Sequence, residues 1–188
     1  MTEQVITMRR ATVADSENIE ALIETSARAL CRGDYANDVI DAALGTVWGL
    51  DRQLIADGTY FVAEDRTQLA ACGGWSRRRT LFGADGIDDR DDSALDPSTE
   101  AARIRAFFVH PDYARRGIGS RLLEHCEREA WQAGFRRLAL GATAPGARLY
   151  RTRGFVPETP YDCPCGDGLA ITIVPMSKRL HRAPDTID

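Results

Sequence analysis

The chain has 188 residues, 44% of them hydrophobic and 28% charged, and a formal net charge of −4. That length suits one domain with its own apolar core; the charge argues against a nucleic-acid partner, and no apolar run is long enough to span a membrane. The N-terminal "MTEQVITMRR" lacks the apolar centre of a signal peptide, and five scattered cysteines read as free thiols in a reducing compartment, so a cytoplasmic location is expected.

In chain order, residues 4–11 read as a short strand. Residues 12–33 read as a helix: Thr12 to Asp15 has the spacing of a capping box with Asp in place of Glu, Ile19, Leu22, Ile23, Ala27 and Leu30 form one apolar face, and Gly33 follows the end. A second helical stretch, 38–58, is interrupted near Gly45 and Gly49. Two strands follow at 59–65 and 68–78, joined by a short polar turn. Residues 83–100 carry seven acidic side chains against one arginine and no apolar period, which predicts a loop. The run "RIRAFFVH", 103–110, is apolar at its centre and reads as a buried strand. From Gly117 the period becomes helical, with Ile118, Leu122, Leu123, Cys126 and Ala130 on one side and Gly134 as the stop. A strand at 135–142, a short helix at 145–154 and strands at 155–161 and 168–178 complete the pattern. The "CPC" at 163–165 lacks a second Cys or His pair and reads as a turn; no metal is expected. Residues 1–180 form one domain in this reading, and 181–188 a frayed tail. The order β-α-α-β-β-β-α-β-α-β-β predicts an α/β chain of the α+β type, with one mixed, mostly antiparallel sheet of six to seven strands and helices on both faces.

The segment 109–130, "VHPDYARRGIGSRLLEHCEREA", joins that buried strand to a helix through two arginines and two glycines. First-turn N–H groups have no partner inside a helix, and the helix dipole places partial positive charge there. An anion is the natural guest, phosphate above all. Gly117 and Gly119 leave the backbone bare, and Arg115 and Arg116 can add charge-assisted bonds. A dinucleotide fingerprint would need glycine at 122, where Leu122 stands. A P-loop would need Lys and then Ser or Thr after Gly119, where Ser120 and Arg121 stand.

Val109-His110-Pro111 followed by Ala114-Arg115-Arg116-Gly117-Ile118-Gly119 resembles the GNAT superfamily of acyl-CoA-dependent N-acetyltransferases, whose pattern is V-x-P and then R/Q-x-x-G-x-G/A opening a helix. The "GFRRLAL" and "LYRTRGF" segments resemble the family's next strand, helix and strand. The resemblance implies acetyl-CoA as acyl donor. Its pyrophosphate would lie on Arg115, Arg116, Gly117, Ile118, Gly119 and Ser120, and its pantetheine and thioester on Phe107, Phe108 and Val109. Ala114 departs from the usual Arg or Gln. "GATAPG" replaces the Asn often found after the next strand, leaving Thr143 as the stand-in.

The same resemblance makes Tyr150 the general acid for the leaving thiolate. A phenol, with a pKa of roughly 10, is protonated at neutral pH. Glu64 and Glu100 are the two base candidates, though a solvated surface carboxylate is the stronger reading of each; His110 and the cysteines are not placed for chemistry. The acceptor is read as a primary amine of a small molecule or peptide. The acidic loop would attract a cation, "RRR" at 77–79 would suit an acidic acceptor or pair with that loop, and Tyr35 and Trp75 would line a pocket or the core. Family members often dimerise, and the last strands would mediate a homodimer here. The alternative reading is a non-catalytic acyl-CoA-binding or regulatory module, and a third is a scaffold with an empty groove.

Overall fold

Two periods in the sequence, 2 in the strands and 3.6 in the helices, resolve into one sheet covered on both sides. The computed structural model describes residues 5–66, 68–85 and 90–181. In it β1 (Thr7–Arg10) leads to α1 (Ser16–Leu30), α2 (Asn37–Ala43) and α3 (Arg52–Ala56). Then come β2 (Tyr60–Glu64), β3 (Leu69–Ser76), β4 (Ala102–Val109), α4 (Ile118–Gln132), β5 (Arg137–Ala142) and α5 (Ala144–Thr152). The chain closes with β6 (Val156–Pro157), β7 (Tyr161–Gly166) and β8 (Leu169–Arg179). The strand order is β1-β2-β3-β4-β5-β8-β6, with β7 also beside β8. β4 and β5 run parallel, joined through α4; the remaining pairs are antiparallel. The predicted tail beyond residue 181 and Asp88 and Asp89 of the acidic loop lie outside the described residues.

The entries to α1, α3 and α5 use side chains to satisfy orphan N–H groups, whereas α2 and α4 start without a side-chain cap. The Thr12 N–H and hydroxyl both donate to Asp15 Oδ2, at 2.7 and 2.9 Å, and fix the entry to α1. Asp51 accepts from Gln53 N–H at the start of α3, and Thr143 accepts from Gly146 N–H at the start of α5. The 38–58 stretch breaks into α2 and α3 around Gly45, whose φ of +82° a helix cannot continue. Burial divides the core by face. Ile19, Leu22 and Ile23 of α1, Ile40 of α2 and Leu54 of α3 pack with Tyr60, Val62 and Cys72. Leu122, Leu123 and Cys126 of α4 and Ala147 and Tyr150 of α5 pack with Phe61, Ala71, Ile104 and Leu140.

Two expectations are corrected at the C-terminal edge. "CPC" is not a turn: Cys163, Pro164 and Cys165 lie in β7, paired with Ile171 and Ala170 of β8. A proline is tolerated there because β7 is an edge strand. The turn follows it, at Asp167 and Gly168, both with positive φ, as a tight two-residue hairpin requires. The predicted strand at 155–161 keeps only Val156 and Pro157 as β6. Since β6 and β7 pair successive parts of β8, they act as one interrupted edge strand, which brings the eight strands to the expected seven.

β4 is irregular in two ways that position the site. Its ladder with β5 consists of Ala102↔Leu138 and Arg103↔Ala139; beyond these pairs the two strands part. Its ladder with β3 slips by one residue, because Gly74 faces Arg105 while Cys72 faces Phe108, leaving Ala106 and Phe107 opposite Gly73 alone. That is a β-bulge, and Ala106 sits in it at φ +54°. The extra residue flips the alternation. Ala106 and Phe108 pack on the α1 face, and Phe107 and Val109 on the α4–α5 face.

Candidate active site

The parting of β4 and β5 leaves residues 104–109 without ladder partners on the β5 side, about 20 Å of strand edge at 3.3 Å per residue. The edge leads to the start of α4. His110 N–H still bonds the Ala70 carbonyl, at 2.8 Å, and a turn at Pro111–Tyr113 carries the chain into Ala114. Arg115 then takes φ +65° and Gly117, the N-cap of α4, φ +79°. A Cβ at 117 would meet nothing within 4 Å, so glycine is needed there for conformation rather than for room. The first intrahelical bond runs from Arg121 N–H to the Gly117 carbonyl, 3.0 Å. The N–H groups of Gly117, Ile118, Gly119 and Ser120 therefore lie outside the helical ladder, at the positive end of the dipole. Both arginines are exposed beside them, and the Arg116 guanidinium lies over the Tyr113 ring, 5.4 Å from its centre. The Tyr113 hydroxyl in turn bonds Asp65, in the β2–β3 turn.

Gly119 joins this loop to the rest of the site. Its Cα packs between Val109 of β4 and Leu149 of α5, a Cβ there lying 3.4–3.5 Å from both. One residue on from Leu149, Tyr150 points into the same region. Its ring lies edge-on to Phe107 at 6.3 Å and to Phe155 at 5.6 Å. Tyr150 is 7% exposed, and its hydroxyl makes no hydrogen bond among the described residues. Burial pushes the phenol pKa further above its ordinary value, so the group holds its proton and presents it.

The structure thus brings together Phe107, Val109, Arg115, Arg116, Gly117, Ile118, Gly119, Ser120 and Tyr150. Phe108 faces the other side of the sheet, packed against the α1-face core. Thr143 caps α5. Glu64 and Glu100 are not brought to the cleft. Glu64 is held through both oxygens by Arg9, at 2.8 and 2.9 Å, on the β1 side of the sheet. Glu100 precedes the paired end of β4 and accepts from Asp96 N–H and from Arg79; these bonds draw its pKa below the usual range. His110 Nδ1 accepts from Asp112 N–H and caps the Pro111 turn.

"RRR" is engaged by carboxylates, in the acidic loop through Arg79 and at Asp57, after α3, through Arg77 and Arg78. Arg78 binds both oxygens of Asp57 at 2.6 and 2.7 Å and the Asp92 carbonyl at 2.9 Å, and Arg79 pairs with Glu100 and Asp91. Trp75 is core, beside Phe135. Tyr35 is half-buried, its hydroxyl accepting from Ala144 N–H at 2.9 Å and donating to the Thr172 carbonyl at 3.2 Å.

Sequence reasoning missed the bulge and what supports it. "GG" at 73–74 was the available signal, since glycine within a strand marks a bulge or a close approach. Here it marks both. A Cβ at 73 would lie 2.6 Å from the Phe107 ring, and one at 74 would lie 2.9 Å from Tyr60 Cδ2. Among the described residues, no group of three or more His, Cys, Asp or Glu is arranged to hold a metal ion, and no helix is long and apolar enough to cross a membrane.

Residues 29–155 match the acetyltransferase (GNAT) family. No curated protein matches the chain significantly. Among solved structures, a GCN5-related N-acetyltransferase from Rhodopseudomonas palustris aligns with a TM-score of 0.69 at 20% identity, covering 96% of this chain and 99% of that one. The PaiA N-acetyltransferase of Thermoplasma acidophilum, in complex with coenzyme A, aligns at 0.63 and 16% identity, covering 93% and 99%. The yncA protein of Salmonella typhimurium, with its cofactor acetyl-CoA, aligns at 0.62 and 18% identity, covering 97% and 99%. At these identities the likeness is one of fold.

Proposed function

Given that the chain belongs to the GNAT acetyltransferase family, we propose that it transfers an acetyl group from acetyl-CoA to a primary amine of a small molecule or peptide, by direct attack. The observation that carries this reading is the continuity of three features: an unpaired β4 edge, a bare helix N-terminus at its end, and the protonated Tyr150 beside both.

The residues present fit an acyl-CoA. The N–H groups of Gly117 to Ser120, with Arg115 and Arg116, suit the two negative charges of a pyrophosphate. The open edge at Phe107 and Val109 can pair with the amides of a pantetheine arm as a neighbouring strand would. A thioester along that edge supplies the activated carbonyl. The Phe107 N–H can donate to its oxygen and stabilise the negative charge that grows there as the amine adds. In the balanced step the amine nitrogen forms a bond to the carbonyl carbon, the carbon–sulfur bond breaks, and Tyr150 gives its proton to the departing sulfur. The amine loses one proton to solvent, and Tyr150 regains one from it. Direct attack needs no acyl-enzyme, and burial raises the thiol pKa of Cys72 to about 12 and that of Cys126 well above its ordinary value, so neither is poised as a nucleophile.

A non-catalytic acyl-CoA-binding module would use the same edge and loop, and the engagement of Glu64 and Glu100 in ion pairs favours it. Turnover decides between the two. Acetyl-CoA consumption over a panel of amines, with Tyr150→Phe beside the wild type, is the test. Amine-dependent release of free CoA that Tyr150→Phe loses supports the enzyme. Binding of acetyl-CoA without turnover on any amine supports the module.

A further inference from the structure

We propose that Tyr60, on β2 and two strands away from the cleft, is a positioning residue for acyl transfer, because its hydroxyl holds the bulge peptide of β4 with the Phe107 N–H turned toward the α4–α5 face. The inference rests on the reading that acetyl-CoA lies along β4, and adds the group that aims the oxyanion donor.

The geometry starts at a strained residue. Ala106 has φ +54°, a left-handed conformation that crowds the Cβ of an L-residue against the backbone. Such strain persists only where the surroundings over-determine it. Two contacts do so here. The Tyr60 hydroxyl donates to the Ala106 carbonyl at 3.1 Å, and Cys72 Sγ lies 4.0 Å from the same oxygen. Both groups belong to the α1-face core. Tyr60 reaches β4 because its ring crosses β3 over Gly74, where a side chain would collide with it. The residue is fully buried, and desolvation raises its pKa, so the phenol stays a donor.

A trans peptide places its C=O and N–H on opposite sides; no cis peptide is present among the described residues. With the Ala106 oxygen held on the α1 face, the N–H of Phe107 is directed to the opposite face, the one that carries Tyr150 and the start of α4. The bulge has a second effect. A regular β4 would alternate from Ala102 and Ile104 on the α4–α5 face to residue 106 on that face, sending Phe107 to the other side. The inserted residue returns Phe107 to the Tyr150 side, where its ring stands over Gly73 and against Tyr150. Tyr60 therefore secures both the donor and the ring that neighbours the acid.

Tyr60→Phe removes one hydroxyl and keeps the packing ring. Acetyl-CoA labelled with ¹³C at the thioester carbonyl is the probe, because its infrared band moves to lower frequency when a donor polarises it, and no acceptor is needed. Wild type should bind the probe with a lowered carbonyl frequency. Tyr60→Phe should bind it with similar affinity by calorimetry and lose most of that lowering. With an amine that the wild type acetylates, kcat should fall about ten- to a hundredfold, less than outright loss of an oxyanion donor costs because the N–H is misaimed and not removed, while KM for acetyl-CoA holds. Ile40→Val, a trimmed residue of the same core, controls for lost stability and should keep both the frequency and kcat. An unchanged carbonyl band and kcat in Tyr60→Phe overturn the inference alone. So does a parallel loss of affinity and kcat, or an equal loss in Ile40→Val. Failure of the wild type to bind acetyl-CoA overturns the site itself, and this inference with it.

Discussion

The two ends of β4 have opposite surroundings. At its start, Ala102 pairs with Leu138 of β5, and Arg103 is paired on both sides, with Ser76 of β3 and Ala139 of β5. Next to them Arg105 lies buried against Asp51, with Nη2 at 2.8 Å from Oδ2, and donates to the Gly83 carbonyl. Past the bulge, Phe108 and Val109 keep β3 and lose β5, and the neighbours of this end of the strand are an open helix start and a protonated phenol. One strand thus serves as scaffold at one end and as an unfinished sheet at the other. A strand with every backbone group paired has nothing left to offer a ligand. The proposed site lies where the pairing stops.

Substitutions should separate the two ends. The largest effect belongs to the scaffold end. Arg105→Ala removes the nearer of the two guanidinium groups at the fully buried Asp51, leaving Arg90 at 3.2 Å, and the loss should be about 3 kcal/mol of unfolding free energy, read by denaturant titration. Next comes the open end: Tyr150→Phe should lower kcat about a hundredfold or more with the melting temperature and acetyl-CoA affinity held, checked by steady-state kinetics beside calorimetry. Its pH dependence follows from the direction of the shift. A phenol pKa raised by burial keeps the acid protonated through about pH 10, so kcat should not fall on the alkaline side below that. A decline in kcat between pH 8 and 9 that Tyr150→Phe abolishes would contradict it.

Smaller effects test the margins of the comparison. Replacing Arg115 and Arg116 together by alanine should weaken acetyl-CoA binding about tenfold, more at low salt than at high, with stability unchanged. Asp57→Asn, far from the open end, should cost about 1 kcal/mol at pH 7, where its carboxylate holds Arg78. Arg78 lowers the Asp57 pKa, so that stability is present above the ordinary aspartate range. It is lost as pH falls below about 4, and wild type and variant should converge there in thermal melts. The smallest effect is expected from Glu64→Gln and Glu100→Gln, which should leave kcat near wild type, since both side chains are engaged away from the cleft.

Much of this was legible in the residues, for local reasons. The α4 start announces itself because glycine, arginine and an amphipathic period stand next to one another in sequence, and Tyr150 lies in a short helix bounded by Pro145 and Gly154. What stayed hidden depends on long-range pairing. Ala106 carries no sign of a left-handed φ; its conformation is imposed by Tyr60, 46 positions earlier, and by the register with β3. "RRR" could not be told from an anion site until Asp57, Asp91 and Glu100 closed on it. "CPC" reads as a turn by composition and becomes a strand because β8 offers it an edge.

Titration calorimetry of acetyl-CoA into the wild type and Gly117→Glu, with circular dichroism to show that the variant is folded, tests the central claim most directly. The substitution puts a carboxylate beside the N–H groups of Gly117 to Ser120, where the account places the pyrophosphate. Saturable binding by the wild type that the folded variant loses is the predicted result. A wild type that does not bind, or a folded variant that binds equally well, would contradict the account.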